Sequence, residues 1–410
     1  MSLRPPSFLL VLSAAGCTAP SLPETSETSD TPPGAPAGTE AEEVGAWPRA
    51  CADVYDPATL GEIDLEFEPA DWAAISADLA AGVKRYHPVQ IHYGNETVPA
   101  LVRLKGNWSW STDKMQFLIA FDEDGGRFHG LRKLSLDAPW YDRTLLHERL
   151  AFPLFAALGL PSSCVNHLRV NIDGVYYGVY SNTERIDREY LERNFAEPDG
   201  NLYEAWNELE TNESTADTSR LNDLKNAQTV DQLATLVDLD QAVSEWAVEA
   251  MIPASDNYWA GVEINYYLYD HPSRGFLWLP YDLDAAFGDS AYSDGSLVYP
   301  DAVTADPITW ENDYWLKEPL VKIVLADPTW CGRFADAVRR ARAQFDPKEL
   351  TTRIDTWDNQ IAEALAEDPH RTCSLDQHAA AVEELRAFVV ARAAFVDEWL
   401  AVGSECPARW

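Results

Sequence analysis

The chain has 410 residues, 46% of them hydrophobic, with 15 Trp, 17 Tyr and 14 Phe, which is enough for a large aromatic core and for roughly two to three domains' worth of chain. Its 67 acidic and 31 basic residues give a formal net charge of -36; such a surface repels a phosphate backbone, so nucleic acid is not an expected partner. None of the six cysteines stands in a Cys-x-x-Cys pair, which argues against a zinc ribbon.

The first four residues carry one positive charge, residues 8–15 are apolar, and Ala14-Ala15-Gly16-Cys17 follows. A short apolar run before small residues and a cysteine is the pattern of a bacterial lipoprotein signal, with Cys17 as the lipidated first residue of an exported, membrane-anchored or cell-surface protein. An ordinary secretory signal cut nearby is the alternative, and the run is too short to span a bilayer. Residues 18–46 are polar, acidic and Pro-rich, so they are expected to be a disordered tether. The folded domain is expected over 47–410. Export favours disulfides, and Cys331 with Cys373 is the expected pair because both fall in one C-terminal helical region.

Alternating apolar residues predict a strand at 63–67, and Pro69-Ala-Asp-Trp opens a helix to about residue 79. Strands are predicted at 89–93 and 98–104 around Gly94-Asn95, then at 117–121 and 133–136, with a turn at Asp124-Gly125-Gly126 between them. Asp142 is placed to cap a helix starting at Arg143, and Pro153 should kink or interrupt it. Asp173-Gly174 joins strands at 167–171 and 175–181 as a hairpin. A helix at 240–251, a strand pair at 264–269 and 275–279, and amphipathic helices over 320–400 complete the chain. A sheet-rich front, a mixed middle and a helical back make the fold α+β, in two lobes.

The segment Tyr281-Asp282-Leu283-Asp284 offers the sharpest chemistry. In an extended chain, residues two apart share a face, so Asp282 and Asp284 would present paired carboxylates, which repel unless a cation lies between them. Hard oxygen ligands suit magnesium, manganese or calcium. A solvated acidic loop is the bland alternative, although the flanking residues are apolar. Asp256 follows an apolar helix, with Asn265 at the start of the next strand. Locally, Asp256-Asn257 reads equally well as a simple turn and as a proton acceptor for a hydroxyl. Arg103-Leu-Lys105-Gly106-Asn107-Trp-Ser109, with Lys114 beyond it, is a polar turn whose amides could approach phosphates, or an ordinary hairpin with basic residues. Glu148 lies on or beside an apolar helix stripe and needs a cation partner, for which Lys114 is a candidate. His129, His147 and His167 lack zinc-ligand spacing, no Gly-x-Ser-x-Gly elbow is present, and no carboxylate pair singles out a glycosidase.

The order of these motifs resembles the CotH kinase family, named for a spore coat protein. Arg103-x-Lys105-Gly106-Asn107-x-Ser109-Trp110 with Lys114 is similar to the family's Arg-x-Arg-Gly-Asn-Ser-Ser-Trp…Lys-Lys segment. Thr144-Leu-Leu-His147-Glu148-Arg149-Leu-Ala, Leu158-Gly-Leu-Pro161, and Val170-Asn-Ile-Asp-Gly-Val-Tyr-Tyr-Gly-Val-Tyr-Ser-Asn-Thr-Glu184 look like its middle blocks. Asp256…Asn265-Tyr-Tyr-Leu-Tyr and Tyr281-Asp282-Leu-Asp284-Ala-Ala-Phe-Gly288 look like its closing blocks. The likeness covers about residues 60–400. It implies a two-lobed atypical protein-kinase-like fold that uses ATP and Mg2+, or Mn2+, to phosphorylate Ser or Thr of a protein substrate. By position, Asp256 would be the catalytic acid, Asn265 and Asp282 metal ligands with Asp284 beside them, and Lys114 the phosphate contact paired with Glu148. Arg103, Lys105, Asn107 and Ser109 would lie on the nucleotide side, and Glu184 near the hinge. Met115, His147 and Lys105 stand where the family pattern has basic residue, arginine and arginine. A surface binding or structural protein on the same scaffold, without phosphotransfer, is the alternative reading.

Overall fold

The computed structural model describes residues 48–106, 110, 114–121, 126–138, 142–206, 208–214, 217–288, 302–310, 318–403 and 406. Cys17, the tether over 18–46, Asn107, Ser109 and the turn residues Asp124 and Gly125 lie outside the described residues. The fold is α+β. Strands β1 (Gly61–Glu66), β2 (His87–Tyr93), β3 (Glu96–Leu104), β4 (Phe117–Ala120), β5 (Lys133–Asp137), β6 (Val165–Ile172) and β7 (Val175–Thr183) close into a barrel in the order β1-β2-β3-β4-β5-β7-β6. Neighbours run antiparallel except at the closure, where β1 pairs parallel with β6, Ile63 opposite Val170. Alternate residues point inward, and Ile63, Val102, Phe117, Leu134 and Val170 fill the interior. The β6–β7 turn is Asp173-Gly174, with φ of 51° and 73°; both residues are left-handed, as a two-residue hairpin turn demands.

A second sheet has the order β11-β10-β8-β9, from β8 (Asn201–Glu204), β9 (Glu208–Leu209), β10 (Tyr266–His271) and β11 (Gly275–Pro280). Helices α1 (Pro69–Ala81), α2 (His147–Ala157), α3 (Arg188–Asn194), α4 (Ser219–Lys225), α5 (Val230–Ala234) and α6 (Leu239–Met251) precede β10. Helices α7 (Pro319–Leu325), α8 (Pro328–Gln344), α9 (Pro347–Glu367) and α10 (Leu375–Val402) follow β11. Asp327 and Asp346 cap α8 and α9, each accepting first-turn amides, and each is followed by proline at N1. The largest core joins α2, α6, α8 and α10 to one face of the second sheet, around Trp246, Trp278, Phe334 and Leu385.

Two expectations are corrected. Helix α2 starts at His147 rather than Arg143. Asp142 accepts the amides of Thr144 and His147, each at 2.8 Å, and Leu145 at φ 61° holds a turn ahead of the helix. The helix then runs on through Pro153. Cys331 bonds Cys406, Cys51 bonds Cys164, and Cys373 is a free thiol. The long α10 brings residue 406 back to the start of α8, while Cys373, just before α10, lies against the Arg143 carbonyl. The Cys51–Cys164 bond spans 113 residues. Replacing both cysteines by serine is expected to cost about 2–5 kcal/mol of unfolding free energy, as read by chemical denaturation.

Candidate functional site

The site forms where one rim of the barrel meets the open end of the β10–β11 hairpin and the start of α2. On β5, Leu134 and Leu136 face the barrel interior, so Ser135 and Asp137 face out. Lys105, just beyond β3, donates to Ser135 Oγ at 2.7 Å and pairs with Asp137. Ser135 Oγ donates to the other Asp137 oxygen at 2.8 Å. Gln116, Ser135, Asp137, Glu148, Thr183, Arg185, Tyr281, Asp282 and Asp284 line one pocket.

The hairpin sets Asn265 and Asp282 side by side. Tyr266 pairs with Pro280 at its open end, and the Tyr281 amide donates to the Asn265 carbonyl. Asn265 and Asp282 have φ of 60° and 50°, a conformation that non-glycine residues adopt at a cost of about 1–3 kcal/mol and that clusters at functional sites. Asn257, fully buried, clamps the pair: its Nδ2 donates to the carbonyls of Asn265 at 2.7 Å and Tyr281 at 2.8 Å. Asp256 precedes this clamp, and its Oδ2 accepts from Asn265 Nδ2 at 3.0 Å. Ser255 Oγ donates to the Ala285 carbonyl and His147 Nδ1 to the Asp284 carbonyl, both at 2.7 Å. From α10, buried Arg392 donates to the carbonyls of Ala250 and Met251, which fixes the end of α6 behind Asp256.

Four carboxyl groups repel one another here. Burial, then the charges of Asp282 and Asp137, push Glu148 up to about 8, against the pull of its Thr183 hydrogen bond and of Lys105. Burial and Asp282 push Asp256 up to about 7, with Asn265 opposing. Burial and Asp137 push Asp282 up to about 6, with Lys105 opposing. Asp284 is raised by burial and by Asp282, Glu148, Asp142 and Asp256. Burial disfavours the Lys105 ammonium, but Asp137, Tyr281 and Asp282 more than restore it.

These shifts tie stability to pH. The unfolded carboxyls titrate at their ordinary values of 3.8 and 4.5, while Asp282, Asp256 and Glu148 keep protons to about 6, 7 and 8 in the fold. Between those values the folded chain binds more protons, so their contribution is complete in acid and is lost as pH rises through the folded values. In the presence of a chelator, the unfolding midpoint is expected to fall between about pH 5 and pH 8.5, and a divalent cation should recover part of it at the higher pH.

Among the described residues, no three His, Cys, Asp or Glu side chains are grouped to hold a metal by themselves. The residues fit a cation that takes its remaining ligands from phosphate and water. The half-buried Asp282 carboxylate has no hydrogen bond or ion pair among the described residues and faces like charges. That is donor chemistry which a hard divalent ion satisfies with one or two carboxylates plus substrate oxygens. On the cationic side, Arg185 lines the same pocket, with its Nη2 paired to Glu210 at 2.9 Å and its Nε buried without a partner, and Lys105 holds the lining residues Ser135 and Asp137.

The pocket therefore gathers Glu148, Asp282 and Asp284, with Lys105 at its wall and Asp256 and Asn265 at the hairpin end. It does not gather Lys114, Glu184 or Arg103. Lys114 is 3% exposed and its Nζ binds Asp368 at 2.6 Å and the Val179 carbonyl at 2.5 Å. The expected Lys114–Glu148 pair is thus replaced: Glu148 accepts from Thr183 at 2.7 Å, and the lysine whose charge it feels is Lys105. Glu184 is buried against Arg193 and the Cys164 amide. Arg103 stacks on Tyr86 and donates to the Leu104 carbonyl. Asp137 and Ser135 were missed, although polar residues alternating with Leu134 and Leu136 carry the same signal that marked Asp282 and Asp284.

Among known proteins, the family model described as CotH kinase protein matches residues 102–396. The inner spore coat protein H of Bacillus subtilis (strain 168) is 25% identical over 196 residues, which is 41% of this chain and 53% of that protein. The chain thus spans about half the length of that curated relative.

Proposed function

The chain belongs to the CotH kinase protein family, and from that premise we propose that it transfers the terminal phosphoryl group of ATP to a Ser or Thr hydroxyl of a protein. The observation that carries this reading is the repelling group of Asp256, Asp282 and Asp284, held by the Asn257 clamp, with Arg185 in the same pocket lining and Lys105 bonded to its residues Ser135 and Asp137. A divalent cation, when bound, neutralises phosphate charge; Asp282 and Asp284, with Asn265, would hold it. Lys105 and Arg185 then bind phosphate oxygens. Asp256 orients the attacking hydroxyl and takes its proton. The hydroxyl oxygen bonds to the γ-phosphorus as the bond to the β-bridging oxygen breaks and ADP leaves. Catalysis of this kind rests on positioning and charge stabilisation, which is what the doubly bonded Asn257 supplies.

We place the protein outside the cytoplasm, at a cell or spore surface. Its relative is a spore coat protein by name, and two disulfides suit an oxidising compartment. Among the described residues, no helix is long and apolar enough to cross a membrane; anchoring would rest on lipid at Cys17. The two-lobed kinase-like arrangement belongs to the same proposal, with the barrel and the helical part as the lobes. The test is incubation of the protein with γ-labelled ATP, Mg2+ or Mn2+ and a Ser-containing protein acceptor. Label should reach Ser or Thr, and Asp256→Ala should lower the rate by about 10²–10⁴-fold. ATP binding without transfer under any divalent ion would leave only a binding scaffold.

A further inference from the structure

Away from the Asp282 pocket, a second hollow of about 650 Å³ opens where the turn after α2, the end of α3, the start of α6 and the tip of the β10–β11 hairpin meet. Leu160, Pro161 and Phe195 give it an apolar lining. His271 lines it too, and only 6% of that side chain is exposed. The Ser273 amide donates to His271 Nδ1 at 3.2 Å; an amide can only donate, so the ring carries its proton on Nε2. Burial, then the Arg274 charge, hold the imidazole below its ordinary value, which keeps the ring neutral. Among the described residues the Nε2 proton has no acceptor. Asn194, also on the lining, donates from Nδ2 to the Tyr190 carbonyl at 3.0 Å, and its Oδ1 accepts from no donor among the described residues. The charges at the hollow are already matched: Arg274 pairs with Asp238 and Arg333 with Asp240, each at 2.8 Å.

Nearly buried polar groups ordinarily find partners. An anion would meet Asp238 and Asp240 here and a cation would meet Arg274, so the complementary ligand is uncharged. An extended peptide supplies what is missing: a carbonyl accepts from His271 Nε2, an N–H donates to Asn194 Oδ1, and alternate side chains lie on Leu160, Pro161 and Phe195. The geometry points to a docking groove for an uncharged, extended segment of the protein acceptor, separate from the segment that is phosphorylated; that the partner is the acceptor rests on the kinase reading above. The groove lies at the start of α6 and at the closed end of the β10–β11 hairpin, whereas Asp256 and Asn265 lie beyond the other ends of α6 and β10. A helix of 13 residues and a strand of 6 each span about 20 Å. Gln241 ties helix to sheet, donating to the Trp278 carbonyl at 2.7 Å and accepting the Trp278 amide at 3.0 Å, so this spacing is fixed. At least about six residues must then separate the docked segment from the phosphorylated hydroxyl.

The probe is a displayed library of short random peptides, selected on the full chain, and the selected peptide is then titrated by calorimetry. Uncharged peptides should be enriched. His271→Phe keeps the ring's packing and removes its proton, and it should weaken the selected peptide about tenfold. Pro161→Glu puts a charge on the apolar lining and should weaken it at least as much; melting temperatures check that both variants fold. Joined to a Ser-containing acceptor by a spacer of about twelve residues, the selected peptide should lower the acceptor KM about tenfold or more at unchanged kcat, and a spacer of about two residues should not. No enriched peptide, or binding untouched by both substitutions, would overturn the groove. A solution dimer that both substitutions dissolve would give the groove to a second copy and overturn it equally. Transfer without any KM gain from the longer spacer would overturn its role in docking the acceptor. Absence of transfer to every acceptor counts against the kinase reading alone and leaves the binding result to decide the groove.

Discussion

Lys114→Met is expected to cost about 3–5 kcal/mol of stability, while Lys105→Met should leave the fold standing and remove phosphate binding. The difference lies in what each ammonium holds. Lys114 is buried between β7 and the end of α9, over the Tyr180 ring at 4.7 Å. Burial lowers its pKa, and Asp368 opposes that. Asp368 is itself fully buried and also accepts the amides of Val179 at 3.0 Å and His370 at 2.7 Å. The approach is so close that a Cβ on Gly178, at φ 154°, would fall 2.7 Å from both carboxylate oxygens, so this position admits only glycine. Removing the lysine leaves Asp368 charged in an apolar setting, which is the costly way to break a buried pair. Lys114→Met with Asp368→Leu should recover part of the loss, since the charge leaves with its partner, although two amides stay unpaired. Thermal melting separates the variants. If Lys114→Met melts like the wild type and loses ATP instead, Lys114 belongs to the nucleotide site after all.

Asp282→Asn is expected to abolish phosphoryl transfer, by about 10³-fold or more, and to raise the stability of the cation-free protein. Among the described residues the carboxylate has no partner to lose; the charges of Asp137 and Glu204 raise its pKa, and its own charge raises the pKa of Glu148 and Asp256. Its shift from 3.8 to about 6, discounted for partial exposure, gives a gain of about 1–2 kcal/mol at neutral pH. A substitution that stabilises while it inactivates is the mark of a site strained for function. Mg2+ should then protect the wild type against heat and leave the variant unmoved.

Local elements were legible because their signals are local. Asp173-Gly174 encodes its own hairpin, and Pro69 and the terminal Gly82, at φ 67°, bound α1. The barrel was not legible as a barrel. Its closure pairs residues 61–65 with 168–172, and no periodicity within either strand reports a partner a hundred residues away. For the site, Asp282 and Asp284 both line one pocket, but the chain there is a turn with a left-handed Asp282 rather than the extended segment from which a shared face was expected. The expectation for Lys114 departs from the structure for a tertiary reason. Lys105 and Lys114 look alike along the chain, and only the return of α9 with Asp368 decides which one is sequestered. The helical tail misled the cysteine pairing in the same way, because the length of α10 determines where residue 406 lands.

The assignment of Asp256 as proton acceptor and Asp282 as the cation's holder is tested most directly by calorimetric titration of ATP with Mg2+ into wild type, Asp256→Asn and Asp282→Asn, beside their transfer rates. Asp256→Asn should bind ATP with Mg2+ within about threefold of wild type and transfer at least about 10²-fold more slowly. Asp282→Asn should lose the Mg2+-dependent part of binding. Full transfer by Asp256→Asn, or unchanged Mg2+-dependent binding by Asp282→Asn, would contradict the assignment.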